Sequence, residues 1–488
     1  MSFVTAAAMR SLEEAAFRSG IAAETLMDLA GEGIARRLIS QFPRPGLAVA
    51  YIGKGNNGGD ALVALRHLRD AGWRIRVRHA YPEIECATLP RRKLRELGEL
   101  PATHGNPGPG PCLLLDGLLG IGAKGPLREP LSTLAAEMKD LRNQRGAVVA
   151  AMDLPSGMDA DSGEGDAVTA DLTLTVGVPK QGLATAAGIA RAGRIVLVPV
   201  AGLPLPDQGP LRFFCPETFP GMLPPRPHDF HKGDAGRLGL LAGSPGMTGA
   251  AVLCAEAALR AGAGLVTLHA CHDFLPNLAA RMPAEIMVRV SGDPVADAFA
   301  AGHDALVIGP GTGNAPDAWH RAVTEHLASG TLPCVLDADA LNQLAAAGRL
   351  DLLRPHHLIT PHPGEFRRLA PDLAAADRQQ AAAAFVARHA CTLLLKGART
   401  LVAAPGSDLR FNPTGHAGMA SGGQGDVLAG VAGALLAGGR SGPDAAALAA
   451  WLCGCAAERA LEAGPFTTAG DTLRHLGGAW RDWQECRR

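Results

Sequence analysis

Residues 53 to 60 read Gly-Lys-Gly-Asn-Asn-Gly-Gly-Asp, directly after the apolar run Leu47-Ala48-Val49-Ala50-Tyr51-Ile52 and directly before the helical pattern Ala61 to Leu68. An octapeptide so placed is a strand-to-helix turn. Its glycines let a ligand approach the backbone, and the first N–H groups of the following helix can hold an anion. Asn56, Asn57 and Asp60 add three polar side chains at the same point, which suits chemistry on a phosphate-bearing ligand. A second turn of different build, Ser421-Gly422-Gly423-Gln424-Gly425-Asp426, precedes Val427-Leu428-Ala429-Gly430. Two sites on one polypeptide are therefore expected.

The remaining residues bound the setting. At 488 residues the chain exceeds what one hydrophobic core usually supports, and two unlike turns favour two domains. Lys plus Arg number 46 and Asp plus Glu 47, so net charge gives no reason to expect nucleic acid or an anionic membrane as partner. No apolar stretch reaches the roughly 18 residues of a spanning helix, and Glu13 and Glu14 stand where a signal peptide would be apolar. The ten cysteines lack Cys-x-x-Cys spacing, and only Cys453 and Cys455 lie close together. Reduced thiols, a cytoplasmic location and a homo-oligomeric state are the expectation.

Helical periodicity over residues 9 to 41 is broken by Gly20 into two helices. Apolar runs at 47–52, 74–79, 112–116, 147–152, 172–176 and 194–198 then alternate with amphipathic stretches, the rhythm of a parallel sheet with crossover helices. The first half thus reads as an α/β, Rossmann-like, doubly wound parallel sheet. From about Ala201 to Pro227 eight prolines interrupt the pattern, where ladders and helices are both hard to sustain. The division expected is a domain over 1–205, a Pro-rich linker over 206–227 and a second domain over 228–488. Strand and helix alternation restarts at Arg237 and ends in an Ala-, Gly- and Leu-rich helical stretch, Asp426 to Arg459.

Three strand ends in the first half carry polar clusters: Asn56-Asn57-Gly58-Gly59-Asp60, Asp116 with Gly120-Ile121-Gly122-Ala123-Lys124-Gly125-Pro126, and Asp153-Leu154-Pro155-Ser156-Gly157. An isolated Asp can merely cap a helix or a turn. Three at successive carboxyl ends of one parallel sheet converge on one crevice. The glycine spacing Gly53-x-Gly55-x-x-Gly58 is a weak match to the dinucleotide fingerprint. Asn-Asn-Gly-Gly-Asp together with Asp-Leu-Pro-Ser-Gly is more specific, and it closely resembles the epimerases that interconvert hydrated NADH and NADPH. That resemblance spans residues 9 to 200, including Leu26-Met27-Asp28-Leu29-Ala30-Gly31 and Val178-Pro179-Lys180-Gln181-Gly182. It implies a potassium site at Asn57, Asp116 and Ser156, and a hydrate held by Asn56 to Asp60, Gly120 to Pro126 and Asp153. Oxygen ligands suit that hard cation. Epimerisation at C6 loses and regains a group beside N1, so Asp153 and Asp60 are candidates for proton handling. Asp28 stands where the family more often has Glu, and Ile121 where Thr is common.

In the second half, Asp426 follows glycines at a helix start, where it could take a proton from a substrate hydroxyl during phosphoryl transfer. Further strand-end clusters are Gly309-Pro-Gly311-Thr-Gly313, Asp337-Ala-Asp339-Ala-Leu-Asn342, Thr360-Pro-His362-Pro-Gly-Glu365 and Lys396-Gly397. These motifs, from about His228 to Leu461, resemble the ribokinase-like superfamily with its α/β/α fold and, within it, the dehydratases that repair NAD(P)H hydrates. The resemblance implies substrate contacts at Ala250, Gly311, His362 and Asp426, and nucleotide contacts at Lys396, Gly397, Ala398, Arg399, Thr400 and Gly425. It implies ADP as co-substrate, with Mg2+ contacted indirectly by Glu365. Gln424 departs from the usual Thr or Ser and removes one potential phosphate hydroxyl. The reading is bifunctional repair of hydrated NADH and NADPH, with the small molecules NADHX, NADPHX and ADP as partners. A ribokinase-like small-molecule kinase with an accessory dinucleotide-binding domain is the alternative.

Overall fold

The computed structural model describes residues 1–98, 110–206, 209–270, 278, 280–462 and 464–486. The chain divides into two compact units, Met1–Gly209 and Pro210–Cys486. In the first, helices α1 (Ala6–Arg18) and α2 (Ala23–Gln41) are separated at Gly20, whose φ of +94° ends the first helix. There follow β1 (Leu47–Ile52), α3 (Asn56–Asp70), β2 (Arg74–His79), α4 (Thr88–Glu96), β3 (Cys112–Gly117), α5 (Leu131–Arg145), β4 (Val148–Met152), β5 (Leu172–Val176), α6 (Ala186–Ala192) and β6 (Arg194–Val198).

Among the described residues these six strands form one sheet in the order β2-β1-β3-β4-β5-β6, and every neighbouring pair is parallel. Side chains alternate between two cores. Ala48, Ala50 and Ile52 pack with the apolar faces of α2 and α3, whereas Leu47, Val49 and Tyr51 pack with Leu131, Leu134 and Met138 of α5. A strand apolar on both faces must be covered on both, so the sheet is doubly wound. Its order reverses between β1 and β3, which places a crevice at their carboxyl ends.

The helix after the first glycine-rich turn starts at Asn56, five residues before the helical pattern visible in the sequence. Asn and Gly are poor helix formers, but tertiary packing overrides that preference. A Cβ on Gly59 would stand 2.5 Å from the Met27 side chain, and one on Gly58 3.2 Å from the Gly53 carbonyl, so bare backbone is what lets α3 start against the sheet.

The second unit opens with β7 (Leu211–Phe213), then β8 (Arg237–Leu241), α7 (Thr248–Arg260), β9 (Leu265–Ala270), β10 (Met287–Val290), α8 (Pro294–Ala300), β11 (Ala305–Ile308), α9 (Asp317–Ser329), β12 (Cys334–Leu336) and α10 (Asp339–Ala346). It continues through β13 (His357–Ile359), α11 (Pro363–Leu369), α12 (Arg378–Arg388), β14 (Thr392–Leu395), β15 (Leu401–Ala403), β16 (Leu409–Phe411), α13 (Gln424–Ala437), α14 (Gly442–Ala460) and α15 (Ala469–Gln484). Ten described strands line up as β10-β9-β8-β11-β12-β13-β14-β15-β16-β7. The sheet is parallel through β14, after which β15 and β16 run as antiparallel neighbours. One apolar core joins alternate strand residues to α7, α13, α14 and α15.

One strand lies inside the proline-rich stretch 206–227, of which residues 207–208 fall outside the described set. Strand β7 pairs in parallel with β16, and Pro210 serves its ladder through its carbonyl, which accepts from Leu409 N at 3.0 Å. A proline lacks only the donor, so it can border a strand end.

Helix α13 meets α7 through Gly430, where a Cβ would lie 2.2 Å from the Cys254 carbonyl and 2.9 Å from Ala257 Cβ. Gly430→Ala is expected to destabilise the second unit by roughly 1–3 kcal/mol despite its better helix propensity. The check is the urea midpoint monitored by the tryptophan fluorescence of Trp451 and Trp483, which pack edge to face with ring centroids 4.9 Å apart.

Candidate active sites

The first crevice is built where the β1 and β3 turns touch. A Cβ on Gly53 would sit 1.9 Å from the Leu118 carbonyl, so no larger residue allows that contact. Asn57 Nδ2 donates to the Leu119 carbonyl at 2.8 Å, and Leu119 N donates to Ser156 Oγ at 2.8 Å. The Ser156 hydroxyl donates to Asp116 Oδ1 at 2.6 Å and its amide to Oδ2 at 2.8 Å. Asn57, Asp116 and Ser156, from three strand ends, are thereby joined in one chain of hydrogen bonds. Burial pushes the Asp116 carboxyl up to about 6, with the Ser156 bonds opposing.

Asp60 follows Asn57 by three residues, on the same face of α3. Burial raises its carboxyl well above the usual range, and the charges of Asp153 and Glu13 add to this against Lys180. Asp153 adopts φ +68°, a left-handed conformation that costs a residue with a Cβ. Its Oδ1 accepts from Lys180 Nζ and from Val176 N, the latter at 3.0 Å. Lys180 is 1% exposed, and its ammonium also donates to the Val176 carbonyl at 2.9 Å. The segment 120–126 forms the outer rim. Gly120 adjoins Asn57, Ala123 N closes a turn on the Gly120 carbonyl at 3.0 Å, and Gly122, Lys124, Gly125 and Pro126 are exposed. Ile121 is half-buried in that rim, and Asn56 is exposed at the opening of α3.

The second crevice gathers the carboxyl ends of β8, β11, β12, β13 and β14. Gly423 takes φ +89° to start α13, so Gly425 and Asp426 lie in its first turn. A Cβ on Gly425 would stand 3.4 Å from Lys396 Nζ. Lys396 reaches Asp337 Oδ1 at 2.8 Å and Glu365 Oε2 at 3.9 Å. Burial alone would lower this lysine, but the charges of Asp337, Glu365 and Asp426 together raise it. Burial and then Asp337 push Asp426 up to about 6, Lys396 opposes, and Asp339 adds a smaller rise.

His362 caps α11: its Nδ1 accepts from Gly364 N at 2.9 Å, while its own amide donates to Glu365 Oε2 at 2.7 Å. Its Nε2 lies 3.3 Å from Glu365 Oε1, which joins His362 to the acidic cluster. Ala250 and Gly311 are neighbours, since a Cβ on Gly311 would lie 2.7 Å from Ala250 Cβ.

Residues 396–400 form a loop after β14 in which Gly397 and Ala398 are exposed and Thr400 is half-buried. Arg399 behaves differently. It is 8% exposed, and its guanidinium donates to the Pro413 and Gly415 carbonyls at 2.7 and 3.0 Å. Arg378, given no role by the sequence, donates to the Ala398 carbonyl at 2.7 Å and to those of Leu395, Lys396 and Arg399 at 3.3 Å. Gln424 is likewise occupied: its Nε2 donates to the Thr467 carbonyl at 3.2 Å and its Oε1 accepts from Thr472 Oγ1 at 2.9 Å. It ties the glycine-rich turn to the start of α15.

Three residues at the heart of these crevices had no assigned role in the sequence. Lys180 and Asp337 stood within quoted motifs, so their signal was present, but a lysine in a loop motif does not announce a buried ion pair. Arg378 lies on a helix and carries no motif.

Residues 23–182 match the family model described as YjeF-related protein N-terminus, and residues 238–476 match the model described as NAD(P)H-hydrate dehydratase. A protein of Gloeobacter violaceus named bifunctional NAD(P)H-hydrate repair enzyme is 37% identical over 462 residues, covering 89% of each chain. The chain belongs to the bifunctional NAD(P)H-hydrate repair enzyme family. The Escherichia coli member is 36% identical over 478 residues, covering 94% of this chain and 89% of that protein. A solved ADP/ATP-dependent NAD(P)H-hydrate dehydratase from Bacillus subtilis, co-crystallised with ATP and Mg2+, is 29% identical over 56% of this chain and 98% of that one, with a TM-score of 0.48. The epimerase domain of the repair enzyme thus holds the Asp60 and Asp153 crevice, and the dehydratase domain holds the Asp426 crevice. The kinase alternative is set aside, because both halves of the chain match along the length of these repair enzymes.

Arg378→Met is expected to destabilise the second unit by about 2 kcal/mol, because charge-assisted bonds to the loop carbonyls are lost. Hydrogen exchange at residues 397–400 should quicken while that of the α13 core stays slow, a comparison that peptide-resolved mass spectrometry makes directly.

Proposed function

We propose that the two crevices divide the repair of hydrated nicotinamide cofactors through the residues named above. The reading is carried by the position of Asp426, a half-buried carboxylate in the first turn of a glycine-started helix, with Lys396, Asp337 and Glu365 beside it. In the first crevice Asn56 to Asp60, Gly120 to Pro126 and Asp153 hold the hydrate. The oxygens of Asn57, Asp116 and Ser156 are of the kind that suits potassium, which when bound would balance the buried Asp116 charge. Asp60 and Asp153 handle protons and charge while C6 exchanges its hydroxyl.

In the second crevice Ala250, Gly311 and His362 border the hydrate, and Lys396 to Thr400 with Gly425 border the nucleotide. Arg399 contributes there through its backbone, since its guanidinium is committed to carbonyls. Hydroxide is a poor leaving group and phosphate a good one. Asp426 removes the C6 hydroxyl proton as that oxygen takes the terminal phosphoryl group of ADP, leaving AMP. Loss of phosphate from C6 and of a proton from C5 then restores the dihydropyridine. Three carboxylates, Asp337, Glu365 and Asp426, act on one lysine, an excess of negative charge that suits Mg2+. Magnesium, when bound, offsets charge on the diphosphate. The cytoplasmic placement rests on the reading of the scattered cysteines as reduced thiols.

The test supplies both C6 epimers of hydrated NADH with ADP and Mg2+ and follows absorbance in the reduced-nicotinamide band. Full recovery of both is expected; recovery of neither overturns the proposal. Asp426→Asn should abolish recovery while epimer exchange, followed by chromatography, persists. Asp153→Asn should do the reverse for the preferred isomer. Because Asp426 is raised to about 6, the base form is lost as pH falls through that value, and kcat for recovery should drop about tenfold per pH unit below it. Lys396 holds that value down, so Lys396→Met should move the acid limb to higher pH at saturating ADP.

A further inference from the structure

Helix α1 lies before residue 23, outside the matched segment of the epimerase domain, yet it is fastened to the epimerase crevice. Val4 bridges to Lys180 in parallel: its N–H donates to the Pro179 carbonyl at 2.9 Å and its carbonyl accepts from Gln181 N at 2.9 Å. The helix is therefore anchored on both sides of the lysine that pairs with Asp153. At its start, Ala6 N donates to Asp161 Oδ1 at 2.6 Å. Met9 and Ala16 are the buried residues of α1, and Glu13, spaced four and three residues from them, lies on the same inward face. Arg10 Nη2 lies 3.9 Å from where a Cβ on Gly122 would be, so the helix also reaches the rim of the crevice.

We propose that Glu13 is a catalytic residue of the epimerase crevice, acting with Asp60 as a pair of carboxyl groups that pass one proton between them through the C6 hydroxyl. The inference rests on the epimerase reading of the first crevice. Lys180 is committed to Asp153, and among the described residues neither the Glu13 nor the Asp60 side chain makes a hydrogen bond or a salt bridge. The Lys180 charge acts on both carboxyl groups, and that of Arg10 on Glu13, without a salt bridge. Burial pushes Glu13 up, Lys180 pulls it back, Asp153 pushes it up again and Arg10 opposes, while Asp60 is raised by burial, Asp153 and Glu13 itself. A second carboxyl group that raises Asp60 favours its protonated form, as the donor of a proton requires.

The step balances. The protonated member gives its proton to the C6 hydroxyl, the C6–O bond breaks with its electrons going to oxygen, and water departs as the N1 lone pair forms a C6=N1 double bond. Water then adds to the opposite face, its electron pair forms the new C6–O bond, the π pair returns to N1, and the other carboxylate takes the released proton. The two groups reach the crevice from different helices, α1 and α3, and each direction of exchange leaves the proton on the opposite member.

The test uses the full chain and Glu13→Gln, which keeps the shape and removes the ionisation. Exchange kcat should fall roughly a hundredfold with KM little changed, and the bell-shaped pH dependence should lose one limb. Glu13→Asp should restore part of the rate and the bell. Slow hydrogen exchange of β1 and β3 in the same preparations, read by peptide-resolved mass spectrometry, reports that the first unit is folded. An unchanged kcat and bell in Glu13→Gln overturns the proposal, as does a loss in both variants with the bell intact on the residual activity. If the unsubstituted chain exchanges nothing, the epimerase reading itself falls, and the inference with it.

Discussion

Each crevice gives one lysine to several carboxylates, and that shortage of positive charge is the constraint on which the two sites depend. Lys180, sealed from solvent, pairs with Asp153 and leaves Asp60 and Glu13 raised by burial despite its charge. Lys396 sits between Asp337 and Glu365 and leaves Asp426 raised to about 6. A carboxyl group raised to that value, as Asp426 is, changes protonation near neutral pH, as proton transfer requires. Pairing every acid with a lysine would give a steadier protein with nothing left to move a proton.

Such crowding is possible only because backbone comes close to backbone at the strand ends. Gly53 meets the Leu118 carbonyl where a Cβ would overlap it, and Gly58 and Gly59 let α3 begin against the sheet. In the second unit Gly423 turns the chain in a left-handed conformation so that Gly425 and Asp426 open α13 beside Lys396. Hydrogen bonds then fix what the glycines admit. Ser156 holds Asp116 through both hydroxyl and amide, Arg378 pins the loop after β14, and Gln424 ties the glycine turn to α15. Gln424 acts there as a brace.

Much of this was legible from residue order. The strands from Leu47–Ile52 to Arg194–Val198 follow the apolar runs closely, because strands buried on both faces need unbroken apolar sequence. Asp116, Asp153 and Asp426 stand at strand or helix ends that the same reasoning located. The start of α3 was misjudged, since Asn and Gly favour turns until packing against Met27 outweighs the preference. Strand β7 was not anticipated, because its three residues lie among the prolines of the stretch read as a linker.

Sequence alone determined the alternation of strands and helices, the two glycine-rich turns and the resemblance to hydrate-repair enzymes, because each resides in residues that are neighbours along the chain. Tertiary structure decided which acid Lys180 neutralises, that the Arg399 guanidinium faces inward, and that the first helix is fastened beside Lys180. Those outcomes depend on groups far apart in sequence brought within reach, where loss of water and the nearest charge together set whether a carboxyl keeps its proton.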